Sequence, residues 1–410
     1  MKKIFFFAAA LISLAAAAQP PMGPMPPKPE DKGEGFQFTV VKENPITSVK
    51  NQASSGTCWC FSSLSFIESE AIRINKLKEA DYPNLSAMYV VSRAYSDKAI
   101  KYIRVDGKLN YDQGSSFGDL ICVLRDYGIV PNDIMTGLNY GTDRHMHGEL
   151  IAGLKGYMDG ILKNPNRKLS TAWHNGVDGI LAAYLGPIPE TFTWNGKEYT
   201  PKSYFETLNV NLDDYLDFTS WTHLSYYEKH PVEVEDNWRW EQAYNVPLDD
   251  MMAIIDNAVE NGYTVAWASD VSEQGFTRDG IGIVPDMEAI QKQAQQAGSD
   301  QARWVGAGPQ GQQRPTFNKP VPEITDITPE LRQQGYDDKS TTDDHGMQIF
   351  GIAKDQNGTK YYMVKNSWGE TGKYKGIWHV SESYVKYKTM DFMVHKDAIP
   401  KDIKKKLGIK

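Results

Sequence analysis

The chain has 410 residues, a formal net charge of -8 and only three cysteines. The acidic balance argues against a nucleic-acid partner and offers no attraction to anionic membranes. Three cysteines are too few for a disulfide framework, and an odd number leaves at least one thiol unpaired.

Residues 1–18 have the pattern of a signal peptide. Lys2 and Lys3 precede an uncharged run from Ile4 to Ala15, and three alanines follow as a small-residue cleavage site. We therefore expect an exported protein, either periplasmic or secreted. The run is too short to span a membrane and no second apolar stretch of about 18 residues follows it, so membrane insertion is not expected.

Residues 19–36 (QPPMGPMPPKPEDKGEGF) are rich in proline, glycine and charge, which predicts an extended linker. Residues 37–410 are enough for one large domain with a sizeable core. Within it we predict a mostly helical insertion at about 131–265 and a surface excursion, rich in glutamine and proline, at about 290–339.

The first strong helical signal begins at a cysteine. After Cys58, apolar residues recur at spacings of three and four from Phe61 to Ile74, which predicts an amphipathic helix with Cys58 at its N-terminus. Unpaired amides at a helix start carry partial positive charge, which lowers a thiol pKa and favours the nucleophilic thiolate. Cys60 and Cys122 lie in apolar patterns and are predicted to be core residues.

Near the C-terminus, two strand-like runs read as a hairpin. They extend from Gly346 to Ala353 and from Lys360 to Lys365, separated by KDQNG. A loop centred on Asp355 and Gln356 would place His345 and Asn366 opposite each other. A turn at Asn357–Gly358 would shift that register by several residues.

These residues supply the parts of a thiol catalyst. His345 can pair with the Cys58 thiolate and protonate a leaving amine, and Asn366 can fix the ring of His345. Gln52 and the amide at the helix start can bind the oxyanion that forms on an attacked carbonyl.

The same residues carry a family resemblance. NQASSGTCWCFS around Cys58, DHG around His345 and KNSWG around Asn366 occur in the order found in papain-like cysteine peptidases, which they resemble. The resemblance implies an α+β, papain-like two-lobed fold, with a helical lobe, an antiparallel β-barrel-like lobe and, here, the large insertion. It implies that Cys58 is the nucleophile, His345 the base, Asn366 its orienting residue and Gln52 the oxyanion donor.

A closer likeness is to the bleomycin hydrolase and aminopeptidase C branch. The stretches DQGSSFGDLICVLRDYGIVP, NGKEYTP and NGYTVAWASDVS are similar to it, together with the motifs above. That branch implies an aminopeptidase, commonly a hexamer whose active sites face an internal cavity. Gly114 and Trp368 are the substrate-binding or shielding residues that the resemblance implies, although Asp112-Gln113-Gly114 replaces the usual acidic residue and paired glycines.

The C-terminus departs from that branch. There, a terminal arm with a free carboxylate binds the amino terminus of the substrate, whereas this chain ends at KDAIPKDIKKKLGIK. An endopeptidase with an open cleft is therefore an alternative to an aminopeptidase. A papain-like protein that binds peptides without turnover, and an acyl transferase with the same catalytic core, are alternatives from other classes.

We expect no cofactor and no metal. His145-Met146-His147 has no further ligand pattern around it, and Gly280-Ile281-Gly282 does not continue as a phosphate-binding loop. The expected partners are peptide substrates.

Overall fold

The computed structural model describes residues 35–296 and 317–409. The predicted signal peptide, nearly all of the predicted linker and the centre of the glutamine- and proline-rich excursion lie outside the described residues. Within those two ranges, no helix has the length and apolar character needed to cross a membrane.

The described part of the chain alternates between helices and short strands. The helices are α1 Cys58–Asn75, α2 Ala87–Arg104, α3 Phe117–Tyr127, α4 Gly148–Leu162, α5 Ala172–Leu185, α6 Pro201–Glu206, α7 Leu248–Glu260, α8 Met287–Gln296, α9 Pro329–Asp337, α10 Glu382–Lys388 and α11 Lys401–Leu407. The strands are β1 Thr39–Glu43, β2 Phe192–Trp194, β3 Lys197–Tyr199, β4 Tyr215–Thr219, β5 Lys229–Pro231, β6 Gln242–Asn245, β7 Val265–Ser269, β8 Phe276–Thr277, β9 Ile281–Gly282, β10 His345–Lys354, β11 Lys360–Lys365, β12 Ile377–Ser381 and β13 Thr389–His395.

Eleven of these strands form one large sheet. Its order is β5-β6-β4-β13-β7-β10-β11-β12-β9-β8, and β1 also pairs with β10. Most neighbours are antiparallel, while β4 with β6 and β9 with β12 are parallel. The hairpin β2–β3 stands apart as a two-stranded sheet.

Two separate hydrophobic cores give the molecule its two lobes. One core packs α1 to α5 together, and Ala266, Ala268, Met390 and Met393 of the large sheet contribute to it. The other core lies between the sheet and the helices α7, α10 and α11. This arrangement confirms the predicted papain-like fold with a helical lobe and a largely antiparallel sheet lobe.

The long segment at 131–265 has two parts of different character. Its first part contains α4, α5, α6 and the β2–β3 hairpin, which agrees with a helical insertion. Its second part supplies β4, β5 and β6, which extend the large sheet beyond β13. This second part also builds one wall of the cleft described below.

The hairpin β10–β11 has a register that neither predicted turn gives. Lys354 pairs with Lys360, so the loop is centred on Asn357, and a bulge between Ile349 and Gly351 then shifts the pairing by one residue. Asp355 holds this loop, because its Oδ1 accepts the backbone N–H groups of Asn357 and Thr359. His345 and Asn366 are therefore not directly opposite each other in the ladder.

The lysine-rich C-terminal segment is a packed helix. Ile403 and Leu407 of α11 are buried in the core of the sheet lobe, and Lys406 pairs with Asp250 at 3.0 Å.

Candidate active site

Cys58 is the first residue of α1, as predicted. The preceding residue, Thr57, makes no side-chain capping bond, because its hydroxyl is paired with the hydroxyl of Ser55 at 2.6 Å. The amides at the helix start are therefore left without a side-chain acceptor from the N-cap. The N–H of Cys60 bonds to the carbonyl of Thr57 at 3.0 Å, whereas the N–H of Cys58 has no side-chain acceptor at the N-cap.

The loop that carries Gln52 is tied to the asparagine motif. The backbone N–H of Gln52 donates to the carbonyl of Ser367 at 2.8 Å, and the hydroxyl of Ser367 donates to Gln52 Oε1 at 2.6 Å. Gln52 Nε2 donates one of its two hydrogens to the carbonyl of Ser55 at 2.7 Å. The amide group is thus oriented with its second N–H unused by that bond.

His345 and Asn366 come together despite the offset in the ladder. His345 Nε2 donates to Asn366 Oδ1 at 2.7 Å, and the backbone of Asn366 has already left β11 to bond with Gly376 at 3.1 Å. The indole of Trp368 stacks on the imidazole at 4.7 Å between ring centroids and covers this bond. The other imidazole nitrogen, Nδ1, is the one left to accept the thiol proton.

Burial shifts the pKa values of both Cys58 and His345. It raises the pKa of Cys58 to about 12, with the charges of Asp343 and Asp236 adding to the shift and the N–H groups of Gly346 and Trp59 opposing it. Burial likewise lowers the pKa of His345 to about 4. The prediction of a lowered thiol pKa is therefore wrong, because desolvation outweighs the helix dipole. Both shifts favour the neutral form of the group.

Gly346 permits close contact between β10 and α1. A Cβ at this position would lie 2.7 Å from the hydroxyl of Ser62 and 3.3 Å from the Cα of Trp59. Such contacts are too short for unstrained packing. The glycine after His345 therefore keeps the histidine strand against the nucleophile helix.

Gly114 lies where the predicted substrate backbone would run, but it is covered by an aspartate. A Cβ at Gly114 would overlap the carboxylate of Asp236, which belongs to the second part of the insertion. From the other side, buried Lys98 holds the loop by donating to the carbonyls of Asp112 and Gly114, each at 2.9 Å. Any peptide at Gly114 therefore meets a carboxylate.

Cys58 and His345 line one cavity with a set of acidic residues that the sequence reasoning did not identify. Six carboxylic acids border this cavity: Asp217, Asp236, Glu241, Asp343, Asp344 and Asp391. They come from β4, the insertion, the segment before β10, and β13. Only Asp343 and Asp344, next to His345, gave a local sequence signal; the others converge through the sheet order. Among the described residues, no group of three or more potential ligands is placed to hold a metal ion.

The comparisons with known proteins assign the chain to a family. A family model described as the Peptidase C1-like family matches residues 28–296 and 331–409. Aminopeptidase G of Lactobacillus delbrueckii subsp. lactis is 22% identical over 406 residues, covering 88% of this chain and 83% of that protein. Bleomycin hydrolase of Mus musculus is 21% identical over 422 residues, covering 90% of this chain and 84% of that protein.

Among solved structures, that of PepW from Lactobacillus rhamnosis has the same fold. It covers 90% of this chain and 84% of its own, with a TM-score of 0.66 at 19% sequence identity. The family model spans most of the chain and includes the nucleophile, histidine and asparagine motifs. This protein therefore belongs to the Peptidase C1-like family and is a cysteine peptidase.

Proposed function

We propose that this peptidase is an aminopeptidase that hydrolyses peptide bonds through a thioester on Cys58. The observation that best supports the proposal is the 2.7 Å bond from His345 to Asn366. It holds the imidazole beside Cys58 in one cavity, with Nδ1 unused by that bond.

The reaction follows from two neutral groups. As Sγ of Cys58 attacks the carbonyl carbon, the thiol proton passes to Nδ1 of His345, and the carbonyl electrons move to oxygen. The N–H of Cys58 and Nε2 of Gln52 donate to that oxyanion. His345 then protonates the departing amine. His345 then deprotonates a water molecule, which attacks the thioester carbonyl. The carboxylate product leaves, and His345 returns the proton to the sulfur of Cys58.

The wall from Val232 to Gln242 supports action at amino termini. It narrows the cleft at Gly114 and places the Asp236 carboxylate there, where an internal peptide segment would have to pass. A carboxylate in that position can pair with the ammonium group of a peptide that ends in the cleft. Several relatives are named aminopeptidases, including aminopeptidases G, W and C.

The first experiment tests turnover. The purified chain is expected to release the fluorophore from a norleucine amidomethylcoumarin substrate, and Cys58→Ala should abolish release, while Cys122→Ala serves as the matched thiol control. Turnover retained in Cys58→Ala would reject the mechanism. An intact wild-type protein whose Cys58 resists iodoacetamide and which cleaves nothing would favour a peptide-binding role.

The second experiment separates exopeptidase from endopeptidase action. A peptide with a free amino terminus is compared with its N-acetylated form, with the products identified by mass spectrometry. We expect the free form to be cleaved at least about tenfold faster, since one charge-assisted pair contributes on that scale. Equal cleavage of the two forms, or cleavage at internal bonds, would establish an endopeptidase.

Export and assembly also belong to the proposal. The pattern at residues 1–18 supports export, and the resemblance to the bleomycin hydrolase branch supports a hexamer. Cell fractionation tests the first, since recovery in the cytoplasm would reject it. Light scattering tests the second, since a monomeric mass would reject it.

A further inference from the structure

The cavity beside Cys58 has an excess of acidic side chains. Six carboxylic acids line it, and no lysine or arginine is among its described lining residues. The charges of Lys98 and Lys229 favour the ionised forms of Asp236 and Asp217, but the cations around the cavity also have other partners. The Lys98 ammonium bonds to two carbonyls, Arg239 binds Asp97 and Asp119, and Lys229 lies over the ring of Tyr244.

Two of the acids form the floor of the cavity on the large sheet. Asp217 pairs in register with Met393, so it shares a sheet face with Asp391, two residues away on β13. Thr389 pairs with Ser269 and Phe392 with Trp267, so Asp391 lies in the bulged stretch of β13 opposite Ala268, and Ala268 pairs with Gly346 next to His345. The floor is therefore continuous with the active site through adjacent strands.

One carboxyl oxygen at this floor has no donor within the described part of the chain. Asp217 Oδ1 is buried and has no hydrogen-bond partner among the described residues. A buried carboxylate oxygen without a donor is costly, so such an atom normally faces a group that supplies one. The cavity that holds Cys58 is where that donor would arrive.

The apolar lining of the cavity indicates what kind of hydrogen-bond donor fits it. Besides the acids, the cavity is lined by the apolar side chains of Phe117, Val232, Val234 and Ala268. Apolar walls above a carboxylate floor match a side chain with an aliphatic stem and a cationic head, which is the construction of lysine and arginine. A backbone ammonium has no such stem with which to fill the walls.

We propose that this cavity, with Asp217 and Asp391 at its floor and Asp343 at its side, is a specificity pocket for a lysine or arginine side chain close to the cleaved bond. The proposal rests on the peptidase function proposed above. The bound residue either donates the cleaved carbonyl or precedes the residue that does.

The protonation of the empty pocket supports this assignment. Burial, aided by the charge of Glu241, raises the pKa of Asp217 to about 7, and burial aided by Asp217 raises the pKa of Asp391 to about 8. Burial and its acidic neighbours hold the pKa of Asp343 well above its usual range. A bound cation reverses these shifts, so binding releases protons and strengthens as the pH rises.

The experiment compares lysine with norleucine, its neutral counterpart of similar length. Two pairs of amidomethylcoumarin substrates with free amino termini are prepared. In one pair, lysine or norleucine is attached directly to the fluorophore; in the other, alanine stands between them. Within each pair, the substrates differ only in the terminal ammonium group of the side chain. At one of the two positions, we expect lysine to raise kcat/KM by about tenfold or more, the effect of one charge-assisted hydrogen bond. This lysine-to-norleucine ratio should rise between about pH 6 and 9.

Variants assign the effect to the floor. Asp391→Asn and Asp343→Asn are each expected to lower the lysine-to-norleucine ratio by about tenfold. The matched control is Asp326→Asn, because Asp326 is exposed and is not among the lining residues. Two pocket variants are used so that the test still gives a result if one of them does not fold. Calorimetry on Cys58→Ala, with lysinamide and norleucinamide in two buffers, measures affinity and proton release without turnover.

The outcomes separate the two proposals. Cleavage of both substrates with equal kcat/KM and equal amide affinity overturns the pocket and leaves the peptidase function intact. If lysine and norleucine substrates are cleaved equally but N-acetylation strongly lowers kcat/KM, the acidic residues bind the amino terminus of the substrate. That result also overturns the pocket. No turnover together with an unreactive Cys58 overturns the proposed function. In that case the pocket is supported if Cys58→Ala binds lysinamide more tightly than norleucinamide, and it is overturned if the two affinities are equal.

Discussion

His345 owes its chemistry to its neighbours. Trp368 covers one face of the ring, and Asn366 accepts the Nε2 hydrogen, so the imidazole is buried in the neutral form. A buried neutral histidine acts as a general base over a wider pH range than an exposed one. The same burial keeps the thiol of Cys58 protonated until the substrate is attacked.

This burial predicts the acid limit of activity. The base must be neutral, and the pKa of His345 is lowered to about 4, so activity is expected to persist as the pH falls and to be lost through about 4. The measurement is kcat/KM for the norleucine substrate from pH 3 to 9, with circular dichroism at each pH to confirm folding. A half-maximum near the ordinary histidine value of about 6.5 would contradict it.

Replacing Trp368 should move that limit. Trp368→Ala opens His345 to water, so we expect the acid limit to shift from about 4 toward 6.5, with a lower kcat. Trp368→Phe keeps a ring over the imidazole and is the matched control, with a smaller shift. If the alanine variant loses kcat while its pH profile stays in place, Trp368 does not shield the base.

At the scale of elements, α1 is anchored to the surrounding chain by one buried acid. Glu68 accepts from Lys50 at 2.6 Å and from the backbone of Leu85 at 2.8 Å, and it also bonds to Thr47. Thr47 in turn accepts from the buried ammonium of Lys365, at the end of β11. This network links the nucleophile helix to the strand that precedes Asn366.

Removing that acid should loosen both catalytic elements. Glu68→Gln leaves Lys50 without its carboxylate, and breaking a buried pair typically costs about 3–5 kcal/mol of unfolding free energy. Urea denaturation followed by tryptophan fluorescence measures the loss. Glu79→Gln, at an exposed acid, is the control and should change little. A loss below about 1 kcal/mol would show that the network contributes no more than a surface pair.

At the scale of the whole molecule, the cleft joins residues that are far apart in the chain. The helical lobe contributes Cys58, β10 contributes His345, and the insertion and β13 contribute the acidic floor. Such a site is expected to reduce stability, because its carboxyl groups are held together without a ligand.

The cost of the acidic floor should depend on pH. The pKa of Asp391 is raised to about 8 in the folded state, above its unfolded value of about 4, so its contribution to stability is full below about pH 4 and is lost as the pH rises through about 8. Asp391→Asn should therefore raise Tm by several degrees at about pH 9 and by less at pH 5. Differential scanning fluorimetry of both proteins tests this; an equal gain at both pH values would contradict it.

Local features could be predicted from the sequence. The spacing of apolar residues after Cys58 predicted α1, and the motifs around Cys58, His345 and Asn366 identified the family, because both depend on neighbours along the chain. The strands on either side of KDQNG were also predicted within a residue or two. Their register was not, because the loop is centred on Asn357 and a bulge at Phe350 then shifts the pairing with β11 by one residue.

The surroundings of Cys58 and His345 depend on long-range packing. Desolvation by packed neighbours set the thiol pKa against the prediction from the helix dipole. The strand order brought Asp217 and Asp391 to one sheet face, and the insertion placed Asp236 over Gly114. These are sums of long-range contacts, which no local pattern encodes. The chemistry of Cys58 could therefore be predicted from the sequence, whereas the acidic character of the pocket beside it could be seen only in the folded structure.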